Sequence, residues 1–213
     1  MRILSLGLDN SILNKTSALA ERVIEYGSLV EKYTVIVPNI KNEKIELSEK
    51  VMAYGSGGNS KLRQFIKIYN LAKKLLNRER TDVITVQDQY YLALIGLSLA
   101  KKFNAGLEIQ VHGFEKYYGL RKFIAKYVLP RATAVRCVSQ RLKKQLINEF
   151  RVKEEKITVV PIFVDVNLSL RATGGGAFSP GLDPGNLTNS DVNRRLPRPQ
   201  PQFLKPELGS RND

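Results

Sequence analysis

Short apolar runs rich in β-branched residues alternate along this chain with longer stretches in which apolar positions recur every three or four residues. The runs are RILSL beginning at Arg2, YTVIV at Tyr33, KVMAY at Lys50, DVITV at Asp82, LEIQV at Leu107, AVRCV at Ala134 and ITVV at Ile157. They are short and mostly apolar, as strands are when both faces of a parallel sheet are covered. Between them, Leu62, Phe65, Ile66, Tyr69, Ala72 and Leu76 recur at helical spacing, and Ser60 is placed to cap that helix. Residues 17–30 predict a second helix that buries Leu19, Val23, Ile24 and Val30. Leu120, Phe123, Ile124, Tyr127 and Val128 predict a third, ended by Pro130, and Ser139 can cap a fourth carrying Leu142, Leu146 and Ile147. A further apolar helix follows DVITV. Such alternation predicts an α/β fold with a mostly parallel sheet and helices on both faces.

The pattern breaks after Val166. Residues 167–213 hold six of the nine prolines and six of the fifteen glycines, densest in RATGGGAFSPGLDPGN and RRLPRPQPQ. That composition buries too little apolar surface to offset chain entropy, so residues 1–166 are expected to form the domain and residues 167–213 a disordered tail. The Asn-x-Ser/Thr triplets at Asn167 and Asn186 carry no weight without a secretory context. The longest nearly uninterrupted apolar stretch, residues 90–100, is well short of the ~20 residues that span a bilayer. The start, MRILSLGL, lacks the length and cleavage site of a signal peptide, so a cytoplasmic protein is expected. Cys137, the single cysteine, lies in an apolar strand and is expected to be buried and inert.

Charge narrows the partners. The chain carries a formal +14, and residues 1–166 alone hold 28 Lys and Arg against 16 Asp and Glu. Nucleic acid, an anionic membrane surface and a phosphorylated substrate all suit such a domain. Lys116, Tyr117, Tyr118, Arg121, Lys122, Phe123, Lys126 and Tyr127 interleave cations with aromatics around one helix, a pattern suited to docking on anionic lipid. The other basic residues are scattered over several helices and no RNA- or DNA-binding motif occurs, so no specific nucleic-acid binding is expected.

In open α/β sheets the ligand crevice lies beyond the carboxyl ends of the strands. His112, the only histidine, stands directly after LEIQV and before Gly113. Asp9 and Asn10 follow the first strand, Gln87 and Asp88 the fourth, and Ser139 the sixth. Together they form a candidate site for a hydroxyl-rich ligand held by carboxylate, amide and imidazole. Asp9, Asn10 and Ser139 equally suit the capping of turns and helices. Other chemistries fail on their motifs. Gly7 is followed by LDNSILNK, without the further glycines of a dinucleotide-binding turn. The GSGGNSK loop at Gly55 lacks the glycine before Lys61 and the hydroxyl residue after it that a P-loop needs, and reads as a flexible surface loop. One histidine, no Cys-x-x-Cys and no G-x-S-x-G leave no support for a usual zinc site or a hydrolase triad.

The order VITVQD, IQVHGFE, LPRATAVRCVSQRLKKQL and EEKITVVPIFVDV resembles the amino-terminal half of a family-4 glycosyltransferase, over about residues 1–166. At the last segment Pro161, Val164 and Asp165 match the family's usual motif, while Ile162 and Phe163 replace its Asn-Gly pair. The resemblance implies one Rossmann-like half of a GT-B fold, with the carboxyl-terminal, donor-binding half absent from residues 167–213. It implies a retaining hexosyltransferase that moves a sugar from a nucleotide sugar to a glycan or lipid-linked acceptor in cell-surface polysaccharide synthesis, without a cofactor or bound metal. It also implies that this chain is inactive alone, a truncated or frame-shifted product or one piece of a split enzyme with a separate carboxyl-terminal domain. His112 would then contact the transferring sugar; Asp9, Asn10, Gln87, Asp88, Gly113 and Ser139 would shape the substrate pocket. Attachment at the inner face of the plasma membrane would suit a lipid-linked acceptor. The competing reading is a non-catalytic module that binds a glycan or a protein partner.

Overall fold

The structure, a computed structural model, describes residues 1–114 and 118–161. Contacts divide the chain into Met1–Phe163 and Val164–Asp213, and the second unit, with the tail expected there, lies outside the described residues. The strands are β1 (Arg2–Leu6), β2 (Lys32–Val37), β3 (Asn42–Ser48), β4 (Val51–Ser56), β5 (Val83–Val86), β6 (Gly106–Val111), β7 (Ala134–Cys137) and β8 (Ile157–Val159). The helices are α1 (Ala18–Ser28), α2 (Lys61–Arg78), α3 (Tyr91–Phe103), α4 (Leu120–Val128) and α5 (Gln140–Phe150). One eight-stranded sheet runs β3-β4-β2-β1-β5-β6-β7-β8, parallel except for the β3–β4 pair. It is a Rossmann-like sheet flanked by helices.

Both faces of the strands are apolar in the first half of the sheet because two cores sandwich it. Leu4, Leu6 and Ile36 point to the core shared with α2 to α5. Ile3, Tyr33, Val35 and Val37 point to the smaller core beneath α1, which contributes Ala20 and Val23. Period-2 side-chain alternation thus yields a continuous apolar run, not a half-polar one. Two glycines permit the helices to approach. A Cβ on Gly27 of α1 would stand 2.1 Å from Val51 Cγ2, and one on Gly96 of α3 would stand 2.7 Å from Val86 Cγ2.

The second half of the sheet is different on its α1-side face. Ser5, Thr85 and Glu108 are register neighbours on β1, β5 and β6, and Gln110 faces Arg136 across β6 and β7. Gln110 Nε2 donates to Thr85 Oγ1 at 2.9 Å, and Thr85 Oγ1 donates to Glu108 Oε2 at 2.7 Å. Arg136 Nε lies 3.8 Å from Glu108 Oε1. This ladder satisfies the buried Thr85 and Gln110, groups whose burial without partners would cost stability.

Serine caps fix the starts of α1, α2 and α5. Ser17, Ser60 and Ser139 each accept from the backbone N–H three residues on, at 3.1, 3.4 and 3.2 Å. At the start of α3 the cap position, Tyr90, makes no side-chain bond, and Asp88 two residues earlier accepts from Leu92 N–H instead. Pro130 falls in the single 3-10 turn, Leu129–Arg131, that ends α4.

Several sequence expectations are corrected. Strand β3, NEKIELS, was not anticipated, because an edge strand facing solvent carries mostly polar residues and only Leu47 reaches a core. Leu62, Ile66 and Leu120, which share the helical apolar spacing, are exposed, as are Phe123 and Tyr127 of the helix read both as core-facing and as a docking face. Ile68, Ala72 and Leu76 make the buried stripe of α2, and Ile124, Ala125 and Val128 that of α4. Leu19 and Ile24 are half-buried, with Ala20 and Gly27 taking the inward positions. The GSGGNSK segment is not a surface loop throughout: Gly55 and Ser56 complete β4, and Ser56, Gly57 and Gly58 are buried. Gly57 and Gly58 adopt φ of 71° and 122°, and Gly58 N–H bonds Ile40 O at 2.9 Å. Left-handed backbone there calls for glycine, which explains the residues without any phosphate.

Candidate functional site at the carboxyl rim

The strand order places the topological switch between β1 and β5. From β1 the chain crosses to β2 on one side, while β5 joins β1 on the other. Open parallel sheets hold their ligands at such a switch point, where the backbones part. Gly7 and Gln87 stand at this point: Gly7 N–H bonds Ile36 O at 3.1 Å and Gln87 N–H bonds Leu6 O at 3.0 Å. A Cβ on Gly7 would lie 3.2 Å from Gln87 Oε1, so the small residue gives the Gln87 amide its room.

The candidate residues named from the sequence follow adjacent strands along this rim: Asp9 and Asn10 after β1, Gln87 and Asp88 after β5, His112 and Gly113 after β6, Ser139 after β7. Their surroundings separate them. His112 is exposed at the end of β6, and a Cβ on Gly113 would meet nothing within 4 Å. Partial burial, and secondarily the charge of Arg136, hold the imidazole below its ordinary 6.5. It is a neutral donor and acceptor at neutral pH. Asp9 Oδ1 accepts from Ser11 N–H at 2.9 Å and caps the 3-10 turn Asn10–Leu13, in which Asn10 is exposed. Ser139 caps α5. Asp88 Oδ2 accepts from Leu92 N–H at 3.0 Å, and burial pushes its carboxyl above the ordinary range, opposed by the N–H groups of Leu92, Tyr90 and Tyr91 and the charge of Arg121.

Sequence reasoning stopped one residue short at Gln89. This buried side chain donates through Nε2 to the carbonyl of Gly113, joining the loops after β5 and β6. Its signal was present, as the third of three consecutive polar residues between VITV and an apolar helix. Arg121 was read only as a surface cation, yet its guanidinium lies over the rings of Tyr90 and Tyr91 at 5.5 and 5.9 Å. Lys116 and Tyr117 lie outside the described residues.

Two depressions, about 350 and 320 Å³ in volume, lie away from the rim, between β3–β4 and α2, and share Lys44, Tyr54, Leu75 and Arg78. Neither touches a candidate residue. Among the described residues, no three His, Cys, Asp or Glu side chains gather as metal ligands would.

No curated protein matches the chain by sequence. Solved structures do match its fold. Anabaena HepE, solved in complex with UDP-glucose, aligns with 79% of this chain and 45% of its own at 16% identity and a TM-score of 0.55. The lipopolysaccharide outer core galactosyltransferase WaaB aligns with 78% of this chain and 47% of its own at 16% identity and a TM-score of 0.54. The UDP-GlcNAc 2-epimerase of Methanocaldococcus jannaschii, in complex with UDP-GlcNAc and UDP, aligns with 75% of this chain and 46% of its own at 19% identity and a TM-score of 0.51. The chain spans less than half the length of these proteins. The fold is therefore that of one GT-B half, common to transferases and epimerases, and the sequence decides between them: the model of Glycosyltransferase Family 4 matches residues 16–168, and the chain belongs to that family.

Proposed function

We propose that this chain is the acceptor-side half of a retaining glycosyltransferase, which moves a sugar from a nucleotide-sugar donor to a hydroxyl of a glycan or lipid-linked acceptor in cell-surface polysaccharide synthesis. One observation carries the reading: residues bearing an amide, an imidazole and open glycine backbone, groups that pair with hydroxyls, follow the adjacent strands β5 and β6 beside the β1–β5 switch. Solved neighbours hold UDP-glucose and UDP-GlcNAc, which supports a nucleotide sugar as donor. His112, exposed and neutral, would donate to hydroxyls of the transferring sugar while positive charge builds at the anomeric carbon. Gln87 and Gly113 would contact the acceptor, with Asn10 at the crevice mouth. Asp9, Asp88 and Ser139 would act by holding the turns and helix starts that carry these groups. No metal is needed for these roles, and transfer requires a donor-side lobe.

The test is transfer from UDP-glucose and UDP-GlcNAc to glycan acceptors by the chain alone and with a candidate donor-side domain added. The expected result is no turnover alone, acceptor binding by calorimetry, and turnover on addition that His112→Ala abolishes. Robust turnover by the chain alone would overturn the half-enzyme reading; acceptor binding with no turnover under any combination would make it a binding module.

A further inference from the structure

On one side the sheet ends in β3, a seven-residue strand that pairs with β4 alone. Among the described residues no other hydrogen bond reaches its backbone, so the N–H and C=O groups on its outer edge are open to a further strand. Side chains alternate along it. Lys44 and Glu46 are exposed on the face that carries α2, where both line a depression with Arg78, and neither has an ion pair among the described residues. Ile45 points to the other face, half-buried and part of neither core. Residues 41–50 hold three Lys and three Glu within a chain of formal +14, whereas α2 carries six Lys and Arg and no acidic residue. The edge is thus balanced in charge where other parts of the surface would repel a second copy.

From this we infer that β3 pairs antiparallel with β3 of a second copy across a two-fold axis at Ile45, joining the two sheets into one. The register follows from the side chains. An axis perpendicular to the sheet sets each residue opposite one on the same face; centred on Ile45, it sets Lys44 of each copy opposite Glu46 of the other and Ile45 opposite itself. Centred on Glu43, Lys44 or Glu46, it sets a like charge opposite itself. The same two charges therefore admit one alignment and oppose its neighbours. An unrelated strand would match the backbone but not both charges. The register irregularity between Glu46 and Ser48 bends the strand past this centre, so the ladder is short and the dimer weak. The inference stands apart from the sugar-transfer reading.

Sedimentation velocity of the full chain from micromolar to near-millimolar concentration reads the association, and amide hydrogen exchange locates it. The expected result is a reversible dimer whose formation slows exchange in residues 42–48. Lys44→Glu sets two pairs of carboxylates opposite each other and Glu46→Lys two pairs of ammonium groups, so each should weaken dimerisation about tenfold or more. Mixing the two variants, or combining both substitutions in one chain, should restore it. Both side chains are exposed, so thermal unfolding of the monomers should barely change. If a single variant misfolds, the doubly substituted chain gives the same readout by dimerising with itself and not with the unmodified chain. A chain that stays monomeric throughout overturns the inference. So do dimers equally strong in every variant, which place the contact elsewhere, and protection of residues 42–48 that is independent of concentration, which makes a segment of the same chain the occupant.

Discussion

The side-chain amide of Gln89 donates to the carbonyl of Gly113, so the loop after β5 holds the loop after β6 in position. Gln89 is itself buried, and its truncation leaves that half-buried carbonyl without its partner. Gln89→Ala is expected to lower stability by about 1 kcal/mol, the lower end for an orphaned acceptor that water can partly reach. Urea denaturation reads the stability, and hydrogen exchange of the residues following β6 should rise in the variant. Unchanged exchange there would mean the bond does not restrain His112 and its neighbours.

His112 is the only histidine, so its ring proton signals in an NMR titration are unambiguous. Its midpoint is expected below the ordinary 6.5, because burial and then Arg136 disfavour the charged ring. The linkage sign follows: between the folded midpoint and 6.5 the unfolded chain binds more protons, so stability rises with pH across that window and falls on acidification through it. Arg136→Gln should move the midpoint upward. A midpoint at or above 6.5 in the unmodified chain would contradict the burial.

Asp88 works on helix α3 through Leu92 N–H while burial raises its pKa. Removing this acceptor by Asp88→Ala should cost about 1 kcal/mol, as the loss of a partly buried hydrogen bond does. Asp88→Asn keeps an acceptor and removes the buried charge, so it should cost distinctly less. Thermal unfolding of the two variants side by side checks the order, and an equal loss in both would assign the effect to charge instead.

Glycines at two kinds of position should respond oppositely. Gly27→Ala drives a methyl to 2.1 Å from Val51 and should destabilise by about 2–3 kcal/mol, within the usual range for overpacking. Gly113→Ala meets nothing within 4 Å and should change stability by less than about 0.5 kcal/mol. That makes Gly113→Ala a clean probe of ligand approach at the rim. Guanidinium denaturation of both variants is the measurement.

Cys137 has no exposed surface, and burial pushes its thiol above 9.0. In the native chain it should react with an aromatic disulfide reagent far more slowly than in denaturant, where thiolate and access are both restored. Equal rates in the two conditions would show that β7 opens readily.

The parallel core of this fold was legible because its strands are short, mostly apolar runs and three of its five helices begin at serine caps, both of which are written locally. Strand β3 was not, since its polar alternation is set by an edge position that only pairing with β4 defines. Inward faces of α2 and α4 were misjudged for a related reason: Leu62 and Phe123 have the hydrophobicity of core residues, and only the rotation of each helix on the sheet turns them outward. At the rim, position after a strand placed Gln87, His112 and Gly113 on one edge of the sheet, because parallel topology carries every strand end to the same side. It could not separate a ligand-facing group from a capping one. Ser139 and Asp88 look like site residues in sequence, and their oxygens turn out to face backbone N–H groups.

The order of the sheet also fixes a history of assembly. Strand β5 adds to the free edge of β1, and β6, β7 and β8 each add beside the strand made just before. Strand β4 lies between β2 and β3, and because β3 pairs only with β4 the two can join the free edge of β2 as one hairpin. A chain emerging from its amino terminus can therefore lay down this sheet by outward growth, without reopening hydrogen-bonded pairs. The one strand made before its neighbour in the sheet, β3, waits only for the next, and that step falls within the first third of the polypeptide.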